Sequence, residues 1–160
     1  MAAEQSPVML SGIQPSGHLC IGNYLGALKN WVSLQESYQC FYFVADIHAM
    51  TTLSDTKNIE LNTREMVLDW LAAGVDPEKS VLFVQSQVPE VTELHTYLSM
   101  ITPMGWLQRV PSFKEQVRMN PEGMNYGLVG YPVLQTADII IYKADTVPVG
   151  RDQVPHVELS

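Results

Sequence analysis

A glycine-rich stretch near the amino end has the residue types and spacing of a phosphate-binding turn. Residues 11–23 read S-G-I-Q-P-S-G-H-L-C-I-G-N, between a short apolar run and a segment whose apolar residues recur at helical spacing. The first backbone N–H groups of a helix lack partners inside the helix and attract anions. Gly12, Gly17 and Gly22 leave room for a polyphosphate close to the backbone, and Pro15 stiffens the turn. The stretch therefore predicts a nucleotide site.

A plainer interpretation of this stretch stays open on spacing alone. Turns between a strand and a helix are commonly rich in glycine and proline whatever they bind. The spacing also matches neither G-x-G-x-x-G nor G-x-x-x-x-G-K-[ST], so the usual dinucleotide and P-loop patterns give no support.

A second candidate lies in the apolar stretch Y-P-V-L-Q-T-A-D-I-I-I-Y, residues 131–142, which contains a single carboxylate, Asp138. Burying one carboxylate among apolar side chains is unfavourable unless a partner hydrogen-bonds it, and a group retained under that cost often faces a ligand. On an amphipathic helix the same residue could instead face solvent. The spacing does not decide between these two interpretations.

The elements that position these residues form an alternating pattern. Residues 8–10, 40–45 and 80–85 are predicted strands, and residues 24–35 and 55–73 are predicted helices between them. Parallel strands joined by helices place their ligand site beyond the carboxyl ends of the strands. We therefore predict an α/β fold, specifically a Rossmann-like nucleotide-binding domain with a parallel sheet in three α/β/α layers.

The second half of the chain reads as helical. Helices are predicted at 90–101 and 106–110, and the apolar stretch 126–142 holds Pro132, which marks a helix start or a kink. In the helix at 55–73 we expect Ser54 as the cap and an inner face made of five apolar residues. These are Ile59, Met66, Val67, Trp70 and Leu71. A short strand at 146–149 and a last helix follow, and the middle is read as a helical insertion.

Residues 11–27, S-G-I-Q-P-S-G-H-L-C-I-G-N-Y-L-G-A, resemble the amino-terminal signature of tryptophanyl-tRNA synthetases of the bacterial and organellar type. Cys20-Ile21-Gly22-Asn23 stands at the place of the H-I-G-H motif of class I synthetases, with Cys20 for the first His and Asn23 for the last. The resemblance covers the whole chain, residues 1–160. It implies the amino-terminal part of a class I catalytic domain, without the K-M-S-K-S loop or the anticodon-binding domain.

The resemblance also implies roles for single residues. The segment 132–139 resembles the family's P-x-L-x-x-A-D-I, whose Asp accepts a hydrogen bond from the indole N–H, which makes Asp138 the specificity residue. The segment 147–153 resembles V-P-V-G-x-D-Q, which contacts the ATP ribose and closes the amino-acid pocket, with Arg151 where relatives commonly carry Glu. The implied ATP-binding residues are Gln14, Pro15, Ser16, Gly22, Asn23, Gly150, Arg151, Asp152 and Lys114. The implied tryptophan-binding residues are Asp138, Gln153, His48, Tyr131 and Val149.

Several of these assignments have a plain structural alternative. Asp152 could simply cap a helix, and His48, which follows the second strand in a D-x-H-A segment, could be a satisfied core residue. Lys114, in the segment R-V-P-S-F-K-E-Q, could lie on a solvated helix face. Asn23 and Lys114 are the implied catalytic residues, and no metal-ligating residues are expected.

Composition limits the function classes. The chain has 160 residues and a formal net charge of −8, so it is not expected to bind a nucleic acid backbone on its own. It has no apolar run of about twenty residues, and its first residues lack the pattern of a signal peptide, so we expect a cytoplasmic protein and no membrane. The two cysteines, Cys20 and Cys40, form no C-x-x-C pattern and are expected to be reduced.

The resemblance to this family implies a tryptophan–tRNA ligase that activates L-tryptophan with ATP and Mg²⁺ and charges tRNA(Trp). This chain would retain the ATP and tryptophan sites but little activity, would meet tRNA mainly through regions outside it, and would belong to a homodimer. Two alternatives remain at this point. One is another class I-type nucleotidylyltransferase without tryptophan dependence, and the other is a non-catalytic module that binds tryptophan or a nucleotide.

Overall fold

The structure is a computed structural model of the chain and describes residues 6–53, 55–109 and 125–148. Internal contacts divide it into two compact units. One lies within Met1–Gln87 and Ala144–Pro148, the other within Val88–Lys143 and Val149–Ser160. The first contains a sheet with helices, and the described part of the second is helical.

The first unit is built on a parallel sheet of three strands in the order β1-β2-β3. The register places Met9 opposite Cys40, and Cys40 opposite Ser80. The helices between the strands confirm the predicted Rossmann-like α/β class. In chain order the elements are β1 (Val8–Ile13), α1 (Ile21–Asn23), a π-helical segment (Tyr24–Leu28), α2 (Lys29–Leu34), β2 (Gln39–Val44), α3 (Asp46–Ala49), α4 (Ile59–Ala72), β3 (Ser80–Val84) and a 3-10 turn (Gln85–Gln87).

Aromatic residues at the centre of this unit join the sheet to its helices. The ring of Trp31 on α2 stacks on that of Tyr42 on β2 at 4.2 Å between centroids, and Trp70 on α4 meets Trp31 edge-on at 5.0 Å. The Tyr42 hydroxyl donates to the Trp31 carbonyl at 2.9 Å. Such aromatic pairs add about 0.5–1.5 kcal/mol each beyond the area that they bury. The packing fixes both helices against one face of the sheet.

The second unit contains α5 (Pro89–Ile101), α6 (Met104–Leu107) and α7 (Tyr126–Ile141). Helix α5 begins at a proline, which lacks the N–H that the first turn would leave without a helical partner. Helix α7 begins after Asn125, whose side chain accepts the N–H of Leu128 at 2.8 Å. No helix in the described parts of the chain is both long and apolar enough to span a membrane.

The three predicted strands are confirmed, while several helix details differ. The first helical segment begins at Ile21 rather than 24, and α4 begins at Ile59 rather than 55. Leu71 is 40 % exposed, so its placement on the inner face of α4 was wrong. Pro132 lies inside α7, because the Asn125 cap starts that helix earlier, so the helix-start alternative was wrong.

The predicted strand at 146–149 is reduced to a single parallel bridge in the part that the structure describes. Thr146 pairs with Met9 of β1, and the Leu10 N–H donates to the Thr146 carbonyl at 3.0 Å. Val149 lies outside the described residues, as do Ser54, Val110 and the predicted last helix.

Candidate functional site

The glycine-rich stretch leaves β1 and enters α1 through a reciprocal cap. The backbone N–H of Cys20 donates to Asn23 Oδ1 at 2.9 Å, and the Cys20 thiol lies 3.1 Å from the same oxygen. In return the Cys20 sulfur accepts the backbone N–H of Asn23, completing a capping box. The Asn23 amide oxygen is therefore engaged within the helix start, which leaves its NH₂ group as the donor suited to a phosphate.

The same backbone groups act on the thiol of Cys20. The N–H groups of Asn23 and Gly22 lower the pKa of this exposed side chain, because they stabilise the thiolate. A helix start that stabilises a thiolate favours negative charge at that point. This electrostatic property is what the nucleotide prediction requires.

The turn between β1 and α1 is compact. The Ser16 N–H donates to the Gln14 carbonyl at 2.9 Å, and Pro15 is buried. Asn62 of α4 donates its side-chain amide to the Pro15 carbonyl at 3.2 Å. Gln14 and Ser16 are exposed, and Gly17 has a φ of +150°, which side chains rarely adopt. The predicted nucleotide residues Gln14, Pro15 and Ser16 thus lie on a turn with an exposed face.

Gly12 serves packing within the sheet, and its expected role in making room for a phosphate stays a prediction. A Cβ at Gly12 would lie 2.5 Å from the ring of Phe43, which stacks on Phe83 at 5.5 Å. A Cβ at Gly22, by contrast, would meet only the Cys20 sulfur at 3.4 Å. Gly12 is therefore required by a neighbouring aromatic ring.

Polar groups also cross-link the carboxyl ends of β2 and β3. The backbone N–H of His48 donates to Gln85 Oε1 at 3.3 Å, and Asp46 Oδ1 accepts the N–H of Ser86 at 3.0 Å. Gln85 has no exposed surface, and His48 is 8 % exposed. His48 thus lies at the sheet edge where we predicted it, on the short helix α3.

Helix α7 carries the two described tryptophan-site candidates of the second unit. Asp138 is 2 % exposed, so the solvent-facing alternative does not hold, and Tyr131 is half-buried two turns earlier. Tyr142 follows Asp138 by one turn. Burial, and then the charges of Asp138 and Glu90, raise the pKa of Tyr142 to about 12.

Six predicted site residues lie outside the described parts of the chain, so their placement remains a prediction. They are Lys114, Val149, Gly150, Arg151, Asp152 and Gln153. Within the described residues, no group of three His, Cys, Asp or Glu side chains is arranged to bind a metal ion.

Sequence reasoning missed the three side chains that position these segments, namely Asp46, Asn62 and Gln85. Asn62 and Gln85 nevertheless leave a signal in the sequence. Gln85 is an amide directly after an apolar strand, and Asn62 precedes Met66 and Trp70 at four-residue spacing. A polar residue that continues a buried stripe indicates a specific hydrogen bond.

Comparison with known proteins gives a consistent result. The sequence profile of the class I tRNA synthetases for tryptophan and tyrosine matches residues 2–160. A tryptophan–tRNA ligase of Ralstonia nicotianae is 56 % identical over 155 residues, which make up 95 % of this chain and 39 % of that protein. The corresponding ligase of Fusobacterium nucleatum is 54 % identical over 151 residues, 94 % of this chain and 46 % of the relative.

Solved structures agree with the sequence comparison. The tryptophanyl-tRNA synthetase of Campylobacter jejuni in complex with ADP and tryptophan superposes with a TM-score of 0.89 at 46 % identity, over 95 % of this chain and 47 % of that one. A tyrosyl-tRNA synthetase of Archaeoglobus fulgidus shares the fold with a TM-score of 0.82 at 21 % identity, over 98 % of this chain and 50 % of that one. The chain thus spans half or less of the length of these relatives.

Proposed function

Since the chain belongs to the class I tRNA synthetases for tryptophan and tyrosine, we propose that it carries the ATP and tryptophan sites of a tryptophan–tRNA ligase. The observation that carries the choice of tryptophan is the burial of Asp138, the single charged residue of helix α7. Relatives named as tryptophan–tRNA ligases support it, as does the tryptophan bound in the Campylobacter structure.

The proposed reaction is amino-acid activation followed by transfer to tRNA(Trp). The tryptophan carboxylate attacks the α-phosphate of ATP in line, the bond to the β-phosphate oxygen breaks, and tryptophanyl-adenylate and pyrophosphate result. The protein makes no covalent bond, so its contribution is to position both substrates and to stabilise charge at phosphorus.

The nucleotide side is assigned to the turn and the start of α1. There Gln14, Pro15, Ser16 and Gly22 provide a compact backbone, and the NH₂ group of Asn23 is the side-chain donor to phosphate. The capping box supports this role because it engages the amide oxygen and thereby sets the orientation of the amide. Lys114, Gly150, Arg151 and Asp152 complete the nucleotide side as predictions from the family's motifs, with Lys114 as a second catalytic residue.

The tryptophan side is assigned to Asp138, with Tyr131, His48, Val149 and Gln153. The Asp138 carboxylate would accept the indole N–H. A phenylalanine in the same place would leave that buried carboxylate without this donor, at a cost of about 1–3 kcal/mol and more for a charged acceptor. In general, a site built to hydrogen-bond a polar group of its substrate rejects an analogue that lacks this group, because the buried partner is then left unpaired.

Mg²⁺ would enter with the nucleotide, neutralising phosphate charge. Mg²⁺ commonly retains several waters and binds through substrate phosphates plus one or two carboxylates. The described residues offer no cluster of three acidic or imidazole ligands, and this mode of binding needs none.

Partners beyond the two substrates are assigned by surface chemistry. A chain with a net charge of −8 is a poor match for the tRNA backbone, so tRNA(Trp) would bind mainly through segments other than this one. The two cysteines, which are free in the structure, fit a reducing cytoplasm, where we place the protein.

We also propose that the full-length protein is a homodimer. Apolar side chains of α5 and α6 are strongly exposed, among them Ile101 at 76 % and Trp106 at 52 %. They border an apolar cavity of about 300 Å³ within the second unit. An exposed apolar surface of this kind fits a second copy of the chain. Sedimentation should give a dimer, and Ile101→Glu should give a monomer if this surface is the interface.

Tryptophan-dependent exchange of pyrophosphate into ATP tests the proposed activity. We expect exchange from the gene product at its native length, and weak or no exchange from these 160 residues alone. Exchange that needs no tryptophan would indicate another nucleotidylyltransferase. Binding of tryptophan or ATP without exchange by the native-length protein would indicate a non-catalytic module.

A further inference from the structure

We infer that Asn62 is a positioning residue for ATP binding, because it fixes the turn at Gln14–Gly17 from the neighbouring helix. The inference rests on the proposed ATP site. The Asn62 side-chain amide donates to the Pro15 carbonyl at 3.2 Å, across 47 residues of sequence. This hydrogen bond links helix α4 directly to the predicted phosphate-binding turn.

The position of Asn62 on α4 explains why an amide stands there. Asn62, Met66 and Trp70 follow one another at four-residue spacing and therefore lie on one side of the helix. Met66 and Trp70 are buried in the core against the sheet, whereas Asn62 is half-buried and meets the turn. Along this side of α4 the buried residues are apolar, but the residue that meets the turn is an amide. The reason is that the Pro15 carbonyl there needs a hydrogen-bond donor.

A fixed Pro15 carbonyl matters for an anion site. Carbonyl oxygens repel phosphate, whereas backbone N–H groups attract it. Because the Pro15 carbonyl accepts the hydrogen bond from Asn62, its oxygen is held away from a bound phosphate. The Ser16 N–H to Gln14 carbonyl bond of 2.9 Å keeps the adjacent peptide units in the same compact turn.

A second contact from the same helix meets the other side of the turn. Glu65, three residues after Asn62, places Oε2 at 3.1 Å from His18 Nδ1. The side chains of His18 and Glu65 are 86 % and 40 % exposed, so water screens this pair and it contributes little. The partly buried amide of Asn62 is therefore the principal tether.

Asn62→Ala, measured in the native-length protein, tests the inference. We expect the KM for ATP to rise about tenfold, which corresponds to about 1.4 kcal/mol, with the KM for tryptophan unchanged. Asn58→Ala is the matched control, because Asn58 has the same side chain, is exposed, precedes the same helix and makes no capping hydrogen bond. Asn62→Gln retains the donor and should recover part of the ATP affinity.

Hydrogen exchange of the ligand-free protein gives a readout that does not depend on activity. In Asn62→Ala the backbone amide of Ser16, which donates to the Gln14 carbonyl, should exchange faster than in the wild type, and in Asn58→Ala it should not. Equal exchange and equal KM for ATP in the two alanine variants would overturn the inference. A loss of thermal stability without a selective change in the KM for ATP would do the same. A wild-type protein that binds no ATP would instead refute the proposed function, and exchange at Ser16 would still show whether Asn62 fixes the turn.

Discussion

Among the described side-chain hydrogen bonds, several of the first unit reach backbone groups far away in sequence, whereas three of the second unit reach near ones. In the first unit, Gln35, Gln85, Asp46 and Asn62 each bond a backbone group at least 37 residues away. In the second unit, Thr102, Thr136 and Asn125 bond backbone groups within four residues on their own helices.

This difference implies two kinds of site. The proposed nucleotide side includes a turn that the distant side chain of Asn62 bonds, so a change at this tether should disturb a site that it does not touch. The proposed tryptophan side depends on the buried side chain of Asp138 on α7, a helix whose cap, Asn125, is local. A change at Asp138 should therefore alter tryptophan affinity directly.

The largest effect that we expect is that of Asp138→Ala on tryptophan binding. Loss of the indole acceptor should raise the Kd for tryptophan about 100-fold, close to 3 kcal/mol, with the Kd for ATP unchanged. Asp138→Asn keeps an acceptor of the same shape and should lose less. Isothermal titration with each substrate measures both constants, and a variant that binds tryptophan as well as the wild type would refute this role.

A comparable effect, but on stability, is expected for Gln85→Leu. The substitution removes the acceptor of the His48 N–H from a position with no exposed surface, which should lower the free energy of unfolding by about 1–3 kcal/mol. Urea denaturation measures the change. Gln87→Leu, at an exposed position of the same 3-10 turn, is the control. If both variants unfold at the same urea concentration, the bond between Gln85 and His48 does not stabilise the sheet edge.

Gly12→Ala tests the packing role of this β1 residue, which shortly precedes the nucleotide turn. The new Cβ would meet the Phe43 ring at 2.5 Å, and forcing extra volume into such a site costs about 1–3 kcal/mol. Gly26→Ala is the control, because nothing lies within 4 Å of its Cβ position and alanine favours a helix. Thermal unfolding should show a lower melting temperature for the first variant and no loss for the second. Equal melting temperatures would contradict the packing role of Gly12.

The smallest effect concerns thiol reactivity. Backbone N–H groups lower the pKa of the exposed Cys20, whereas burial raises that of Cys40. A lowered pKa keeps the thiolate populated at lower pH, so alkylation of Cys20 by iodoacetamide should rise at a lower pH than that of free cysteine. Mass spectrometry of the folded protein should find Cys20 modified before Cys40. A pH profile of Cys20 alkylation that matches free cysteine would mean that the cap at α1 does not stabilise negative charge.

The sequence was most informative where structure is local. The apolar runs of the strands and the turn after β1 were recognised, because each depends on neighbours in the chain. The tethers Asn62 and Gln85 were missed because their partners, Pro15 and His48, lie far away in sequence. The start of α1 was misplaced and the helix-start alternative at Pro132 was wrong, because the Cys20–Asn23 cap and the Asn125 cap decide these starts, and neither cap interrupts an apolar pattern.

A crystal structure of the native-length protein with tryptophan and a non-hydrolysable ATP analogue tests the proposed function most directly. We predict that the indole N–H donates to Asp138 and that the phosphates lie at the turn and the first residues of α1, within reach of the Asn23 amide. An indole bound away from Asp138, or phosphates bound elsewhere than at this turn, would contradict it.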